Sequence, residues 1–157
     1  MQQNYPEFSN WNWHTYDSKQ PINLQEFVEG NIGRQFYIGT DSHNKGDKCR
    51  YTTVCIAYEE GEGGSVIFHS DHTPRPPNLR QKLLNETMRT VELAWYLEEL
   101  VGDNEFFEFH MDVNPNKKFG SGKYHAELVG MVKGMNYKAV SKPKSWAATH
   151  AADKKTK

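Results

Sequence analysis

The sequence predicts an α/β fold with a five-stranded mixed sheet, three strands antiparallel and two parallel, and helices on both faces. Three observations lead to this prediction: three consecutive strand-like runs joined by turn sequences, a long amphipathic helical pattern after them, and two further strand patterns separated by a second helix. A chain of 157 residues with 36% hydrophobic content can bury one core. We therefore expect an aromatic-rich N-terminal arm over residues 1–33 and one domain over residues 34–157.

The N-terminal arm carries many aromatic side chains among polar residues. These are Tyr5, Phe8, Trp11, Trp13 and Tyr16, and a short helical pattern over residues 23–29, ended by Gly30, follows them. Aromatic side chains at this density can stack on bases, but more often they pack on the domain that they precede. We expect packing.

Three strands open the domain. Residues 36–41, 51–58 and 65–71 are rich in β-branched and aromatic side chains, and turn-forming sequences separate them. This spacing is typical of a three-stranded antiparallel meander.

One long helix follows a proline-rich break. It is predicted over residues 79–101, with Gly102 at its end, and its apolar side chains form one broad stripe. Glu86 lies at the margin of that stripe, where a carboxylate can reach a site beside the helix.

The last third of the chain completes the sheet. A fourth strand is predicted over residues 105–112, and it should be parallel to the first because a long crossover helix precedes it. A second helix over residues 121–136 and a fifth strand over residues 137–141 follow. Pro143 begins a final alanine-rich helix.

Two of the strands end in an aspartate where the chain turns, Asp41 on the first and Asp112 on the fourth. Carboxyl ends of neighbouring parallel strands meet at one edge of a sheet, where α/β proteins bind ligands. Glu86 on the long helix and Asp153 on the last helix add two carboxylates, with Glu127 as a competing fourth ligand. Such a group repels itself unless cations neutralise it, so the sequence predicts a site for two Mg²⁺ or Mn²⁺ ions.

His150 precedes Asp153 by one turn of the last helix, so both side chains share a face. In the predicted site Asp41 would bridge the two ions, and Asp112 and Glu86 would each complete the shell of one. Asp153 would hold the ion nearer the attacking water, and His150 would relay a proton or orient the phosphate. A lone helix histidine is also typical of packing.

The charge distribution points to a polyanion as partner. Residues 1–113 contain 9 Lys and Arg against 18 Asp and Glu, a net charge of −9, whereas residues 114–157 contain 10 against 2, a net charge of +8. A basic segment beside an acidic metal site is typical of nucleic-acid contact, although charge runs also occur on solvated tails. The predicted nucleic-acid-binding residues are Lys117, Lys118, Lys142 and Lys144.

Four segments carry a family resemblance. They are YIGTDS at 37–42, HMDVN at 110–114, LVGMVKG at 128–134, and KP at 142–143 followed by AADK at 151–154. Together with the element order, they resemble the ribonuclease H-like superfamily and, within it, the YkuK family, over residues 34–157. The resemblance implies a ribonuclease H-like fold, a metal site and a nuclease acting on RNA, an RNA/DNA hybrid or structured DNA. This sequence departs from the expected pattern at position 43, where it has His43 and the pattern is expected to have a polar residue such as glutamine.

Other functions are compatible with the same residues. The domain could be a catalytically inactive nucleic-acid-binding module, or a hydrolase with one transition metal held through His43 and His110, each two residues from an aspartate. His69, Asp71 and His72 could imitate a metal cluster, but only two of them can share a strand face.

Two cysteines, Cys49 and Cys55, lie six residues apart in one predicted strand. At about 3.3 Å per residue they are about 20 Å apart, too far to bond to each other. No run approaches the ~18 apolar residues of a membrane span, and the N-terminus has no leader pattern. We expect free thiols, a cytoplasmic location and no membrane contact.

Overall fold

A seven-stranded mixed sheet forms the centre of the computed structural model, which describes residues 7–102, 107–116, 118, 120–142 and 144–146. The strands are β1 (Trp13–Thr15), β2 (Pro21–Ile22), β3 (Gln35–Lys45), β4 (Lys48–Glu59), β5 (Gly63–Pro74), β6 (Phe107–His110) and β7 (Ala139–Val140). The helices are α1 (Leu24–Glu29), α2 (Leu79–Val101) and α3 (His125–Gly134), with short 3-10 turns at Phe8–Asn10 and Gly120–Tyr124. Across the sheet the order is β2-β1-β5-β4-β3-β6-β7.

The prediction of five strands was wrong, because the N-terminal arm adds two. Trp13 of β1 pairs with Ile22 of β2, and His14 pairs with Phe68 of β5, so the arm extends the sheet beyond the meander. Strands of three and two residues are too short to show an alternating pattern in the sequence. The expected packing of the arm is confirmed, since Trp11 and Trp13 are buried in the main core.

The long hairpin of β3 and β4 corrects the predicted end of the first strand. β3 does not end at Asp41: it continues to Lys45, and Asp41 pairs with Thr52 in the middle of the ladder. The chain turns at Gly46, whose φ of 61° lies in the left-handed region that glycine adopts without strain. Asp41 is therefore held by strand pairing on β4 and does not lie in a turn.

The predicted long helix is confirmed with its bounds. The side chain of Asn78 caps α2 by accepting a hydrogen bond from the backbone N–H of Gln81, and Gly102 ends the helix with φ 80°. The buried stripe includes Leu83 and Leu97. Trp95, which the periodicity also assigns to the stripe, is instead 51% exposed.

The parallel part of the sheet is confirmed. β6 runs parallel to β3 from the pair Phe36–Phe107 to the pair Gly39–His110, and β7 runs parallel to β6. All three described helices pack into one large core on one side of the sheet, to which Phe36 and Phe107 also belong. Of the helix predicted from Pro143, the structure describes residues 144–146, where the Trp146 ring lies 4.8 Å from the Tyr37 ring, centre to centre. A helix on the second face therefore stays a prediction.

Cys49 and Cys55 are buried free thiols, as the spacing predicts. Among the described residues no helix combines the length and the apolar character needed to cross a membrane.

Candidate metal centre

Three carboxylates converge where β3 passes the end of β6. Asp41, Glu86 and Asp112 each offer an oxygen, and these oxygens lie within 4.8 Å of one another. β6 ends at His110, opposite Gly39, so beyond Gly39 β3 has no strand partner on that side in the described part of the chain. Because that edge is open, side chains from the strand, from α2 and from the segment after β6 can meet there.

Hydrogen bonds fix Glu86 of α2 against β3. The hydroxyl of Ser42 donates a short hydrogen bond to Glu86 Oε2, and Thr40 Oγ1 lies 2.8 Å from Thr90 Oγ1, one turn further along the helix. The exposed fractions are 5% for Asp41 and 4% for Glu86. These contacts hold the helix carboxylate at the strand edge with little freedom to turn toward solvent.

Burial raises the pKa of Glu86 to about 7. The charge of Asp112 raises it further, whereas the ammonium group of Lys82 and the Ser42 hydroxyl lower it. A carboxyl group with this pKa is one whose negative charge is poorly compensated by the protein alone. The cluster thus has the electrostatic character of a cation site.

Two lysines supply part of the compensation. Lys82 Nζ lies 3.4 Å from Glu86 Oε2 and donates to the carbonyl of Ser42 at 3.2 Å. Burial alone would lower the pKa of Lys82, but the charges of Glu86 and Asp41 outweigh it and raise the pKa. Lys142 Nζ lies 2.8 Å from Asp112 Oδ1.

The donor set fits a hard divalent cation. All three side chains offer carboxylate oxygens, the ligands that Mg²⁺ and Mn²⁺ prefer. Asp112 Oδ1 is buried, and the ammonium group of Lys142, 2.8 Å away, is the positive charge beside it. A metal ion bound to this oxygen would take the place of that ammonium group.

A comparison with protein families decides the assignment. The family model described as ribonuclease H-like matches residues 22–157. The chain belongs to the ribonuclease H-like family. No curated protein and no solved structure gives a match. The family resemblance of the sequence motifs is confirmed, and the match begins at the arm's second strand, upstream of the predicted boundary at residue 34.

Several predicted site residues of the ribonuclease H-like chain lie outside the residues that the structure describes: Asp153, His150 and Lys117. Lys118 and Lys144 are exposed. Lys142, predicted to bind nucleic acid, has its ammonium group against Asp112.

The alternative ligands do not join the three carboxylates. Glu127 forms a two-pronged ion pair with Arg80, at 2.9 and 3.2 Å. His43 is exposed on β3. His110 is buried, and its Nε2 lies 3.0 Å from Glu108 Oε1. Among the described residues, the group of potential metal ligands contains neither histidine.

A buried ion pair behind the site was missed by sequence reasoning. Asp71, named above with His69 and His72 as residues that could imitate a metal cluster, accepts from Arg89 Nε at 2.9 Å and from Nη2 at 2.5 Å. Both side chains are buried, and the Arg89 guanidinium also lies 3.8 Å from the ring centre of Tyr51. Arg89 follows Glu86 by three residues on α2, so this pair fixes the same stretch of helix against β4 and β5. An arginine within a buried helical stripe was the available signal.

Proposed function

We propose that this ribonuclease H-like chain is a metal-dependent nuclease that hydrolyses phosphodiester bonds in RNA, an RNA/DNA hybrid or structured DNA. The observation that carries the proposal is the convergence of Asp41, Glu86 and Asp112 within 4.8 Å at the strand edge of a ribonuclease H-like domain. Carboxylates gathered in this way support phosphoryl chemistry through divalent cations.

Asp41, Glu86 and Asp112 would hold Mg²⁺ or Mn²⁺, with Asp153 completing a set for two ions. When bound, the ions would supply an activated water and neutralise the charge that develops on the phosphate. Ser42 keeps the Glu86 carboxylate turned toward the strand edge. Lys82, held against the Ser42 carbonyl and 3.4 Å from Glu86, would supply a positive charge to a phosphate bound at the carboxylates.

The remaining roles belong to the C-terminal segment. His150 would take or return a proton at the attacking water, and the exposed lysines Lys118 and Lys144, with Lys117, would contact phosphates flanking the cut. Lys142 would exchange its contact with Asp112 for the substrate once the carboxylate is engaged by cations.

The test is hydrolysis of end-labelled single-stranded RNA, RNA/DNA hybrid, duplex DNA and branched DNA with Mg²⁺, with Mn²⁺ and with chelator. Asp41→Asn and Asp112→Asn should each reduce cleavage to the chelator background. Glu127→Gln is the matched control, because Glu127 is an acidic residue outside the cluster, engaged by Arg80. Cleavage that persists in both asparagine variants would overturn the proposal.

Two measurements separate the alternatives. Salt-dependent oligonucleotide binding, with no turnover of any of the four substrates, would identify a binding module in place of a nuclease. Stoichiometric zinc or iron in the purified protein, lost on replacing His43 or His110, would identify the mononuclear hydrolase.

A further inference from the structure

The end of the β3–β4–β5 meander presents two rows of basic side chains beside Asp41. The pairing register places Lys45 opposite Lys48, and in the next row on the same face it places His43, Arg50 and His72 across the three strands. We name these five side chains the basic rows. They contain no carboxylate, and the exposed Asp47 lies beside them in the turn that joins Lys45 to Lys48.

The basic rows lie on the same face of the meander as Asp41. Side chains alternate along a strand, so the side chains of His43 and Lys45 leave β3 on the same face as that of Asp41, which begins the next row with Thr52. The Asp41 carboxylate still lies within 4.8 Å of Glu86 on α2, because β3 has no β6 partner beyond Gly39 and its edge is open there. The opposite face of the same strands is taken by α2, through Ser42 with Glu86 and Tyr51 with Asn85. The basic rows therefore lie on the face of the meander that does not pack against α2.

Charge and exposure distinguish this surface from the rest of the N-terminal two-thirds. Lys45, Lys48, His43 and His72 are exposed, in a part of the chain whose net charge is −9 over residues 1–113. Arg75 adds another cation, since its guanidinium donates to the carbonyl of Gly46 at the hairpin turn, 3.2 Å away. A local basic patch within an acidic region is a contact surface for a polyanion.

We infer that the basic rows bind the phosphate backbone of the nucleic-acid strand on one side of the scissile bond. The inference rests on the proposed function and specifies where the strand runs: from Asp41 outward over the meander toward Gly46. Successive rows on one face are about 7 Å apart along a strand, so the two rows lie roughly 7 and 14 Å from the Asp41 position. They would engage phosphates beyond the scissile one and fix the position of the strand, without reading the sequence of bases.

The experiment measures binding of a fluorescent single-stranded oligonucleotide, as RNA and as DNA, by anisotropy in chelator over a range of salt concentrations. Lys45→Gln with Lys48→Gln should lower the affinity about fivefold for each lysine near 0.1 M salt and reduce the slope of log K against log salt by about 1.4. Lys48→Glu should weaken binding further. The matched control is the double variant Lys19→Gln with Arg34→Gln, which also removes two positive charges but away from the basic rows. Lys19 is exposed, and Arg34 is paired with Glu59 at the other end of the hairpin.

The outcomes separate this inference from the proposed function. If the nuclease cleaves and the Lys45/Lys48 variant raises KM with kcat unchanged, both stand. Cleavage with unchanged affinity, salt slope and KM in that variant overturns the inference alone. Binding that depends on the basic rows, without cleavage by the wild type, overturns only the proposed function. Absence of measurable binding by the wild type at low salt also overturns the inference.

Discussion

Replacing Glu86 by glutamine should stabilise the metal-free protein at alkaline pH. Folding raises the pKa of Glu86 from 4.5 to about 7, so the folded state favours the protonated carboxyl group. Below pH 4.5 both states are protonated and the group costs nothing. Between pH 4.5 and 7 the stability falls, and above pH 7 the full penalty is present. Each pKa unit corresponds to about 1.4 kcal/mol, so the full penalty on the free energy of unfolding is about 3 kcal/mol.

Glutamine keeps the shape of the side chain and can still accept from Ser42. In chelator, urea unfolding should therefore give Glu86→Gln a free energy of unfolding within about 1 kcal/mol of the wild type at pH 5 and about 3 kcal/mol above the wild type at pH 8. The corresponding increase in Tm at pH 8 is roughly 6–12 °C for a chain of this size. Comparison with the wild type at each pH cancels other groups, such as the buried His69, whose pKa burial lowers. A difference that does not change between pH 5 and pH 8 would refute the account of a crowded, uncompensated carboxylate.

Three further predictions follow from the contacts of the site. Lys82→Met removes the cation that lies 3.4 Å from Glu86. In differential scanning fluorimetry, Mn²⁺ should therefore raise the Tm of this variant by more than it raises the Tm of the wild type. An equal increase would show that Lys82 does not compensate the charge of the cluster. Arg89→Met leaves Asp71 buried without its partner and should lower the free energy of unfolding, measured in urea, by about 3–5 kcal/mol. Adding Asp71→Asn should recover part of this loss. Full stability of the single variant would contradict the buried pair. Mn²⁺ affinity measured by calorimetry should rise between pH 6 and pH 8, because Glu86 must lose its proton to bind, and an affinity independent of pH would count against Glu86 as a ligand.

The long elements could be predicted from the sequence because their patterns are local. The 23-residue α2 has its cap, its apolar stripe and its terminal glycine within one segment. The parallel direction of β6 followed from the crossover helix before it. β1 and β2 could not be predicted, since three and two residues carry too little periodicity and depend on pairing with distant Phe68.

The candidate site was predictable in part for the same reason. Asp41 and Asp112 stood out at the ends of apolar runs, but the continuation of β3 to Lys45 depended on pairing with β4, which no local pattern encodes. Glu86 and Glu127 are both helical carboxylates in the sequence. Tertiary contacts distinguish them, because Ser42 binds the first and Arg80 pairs with the second. The Arg89–Asp71 pair joins residues 18 positions apart in different elements. The local signal was an arginine within the buried stripe of α2, and this signal could not identify Asp71 as its partner.

The central claim is that the three carboxylates share divalent cations. Crystals of the protein soaked in Mn²⁺ and measured at the manganese absorption edge test it most directly. We predict anomalous density within coordination distance of Asp41, Glu86 and Asp112, and its loss in Asp112→Asn crystals. Anomalous density absent from this cluster, or found at His43 or His110 instead, would contradict the claim.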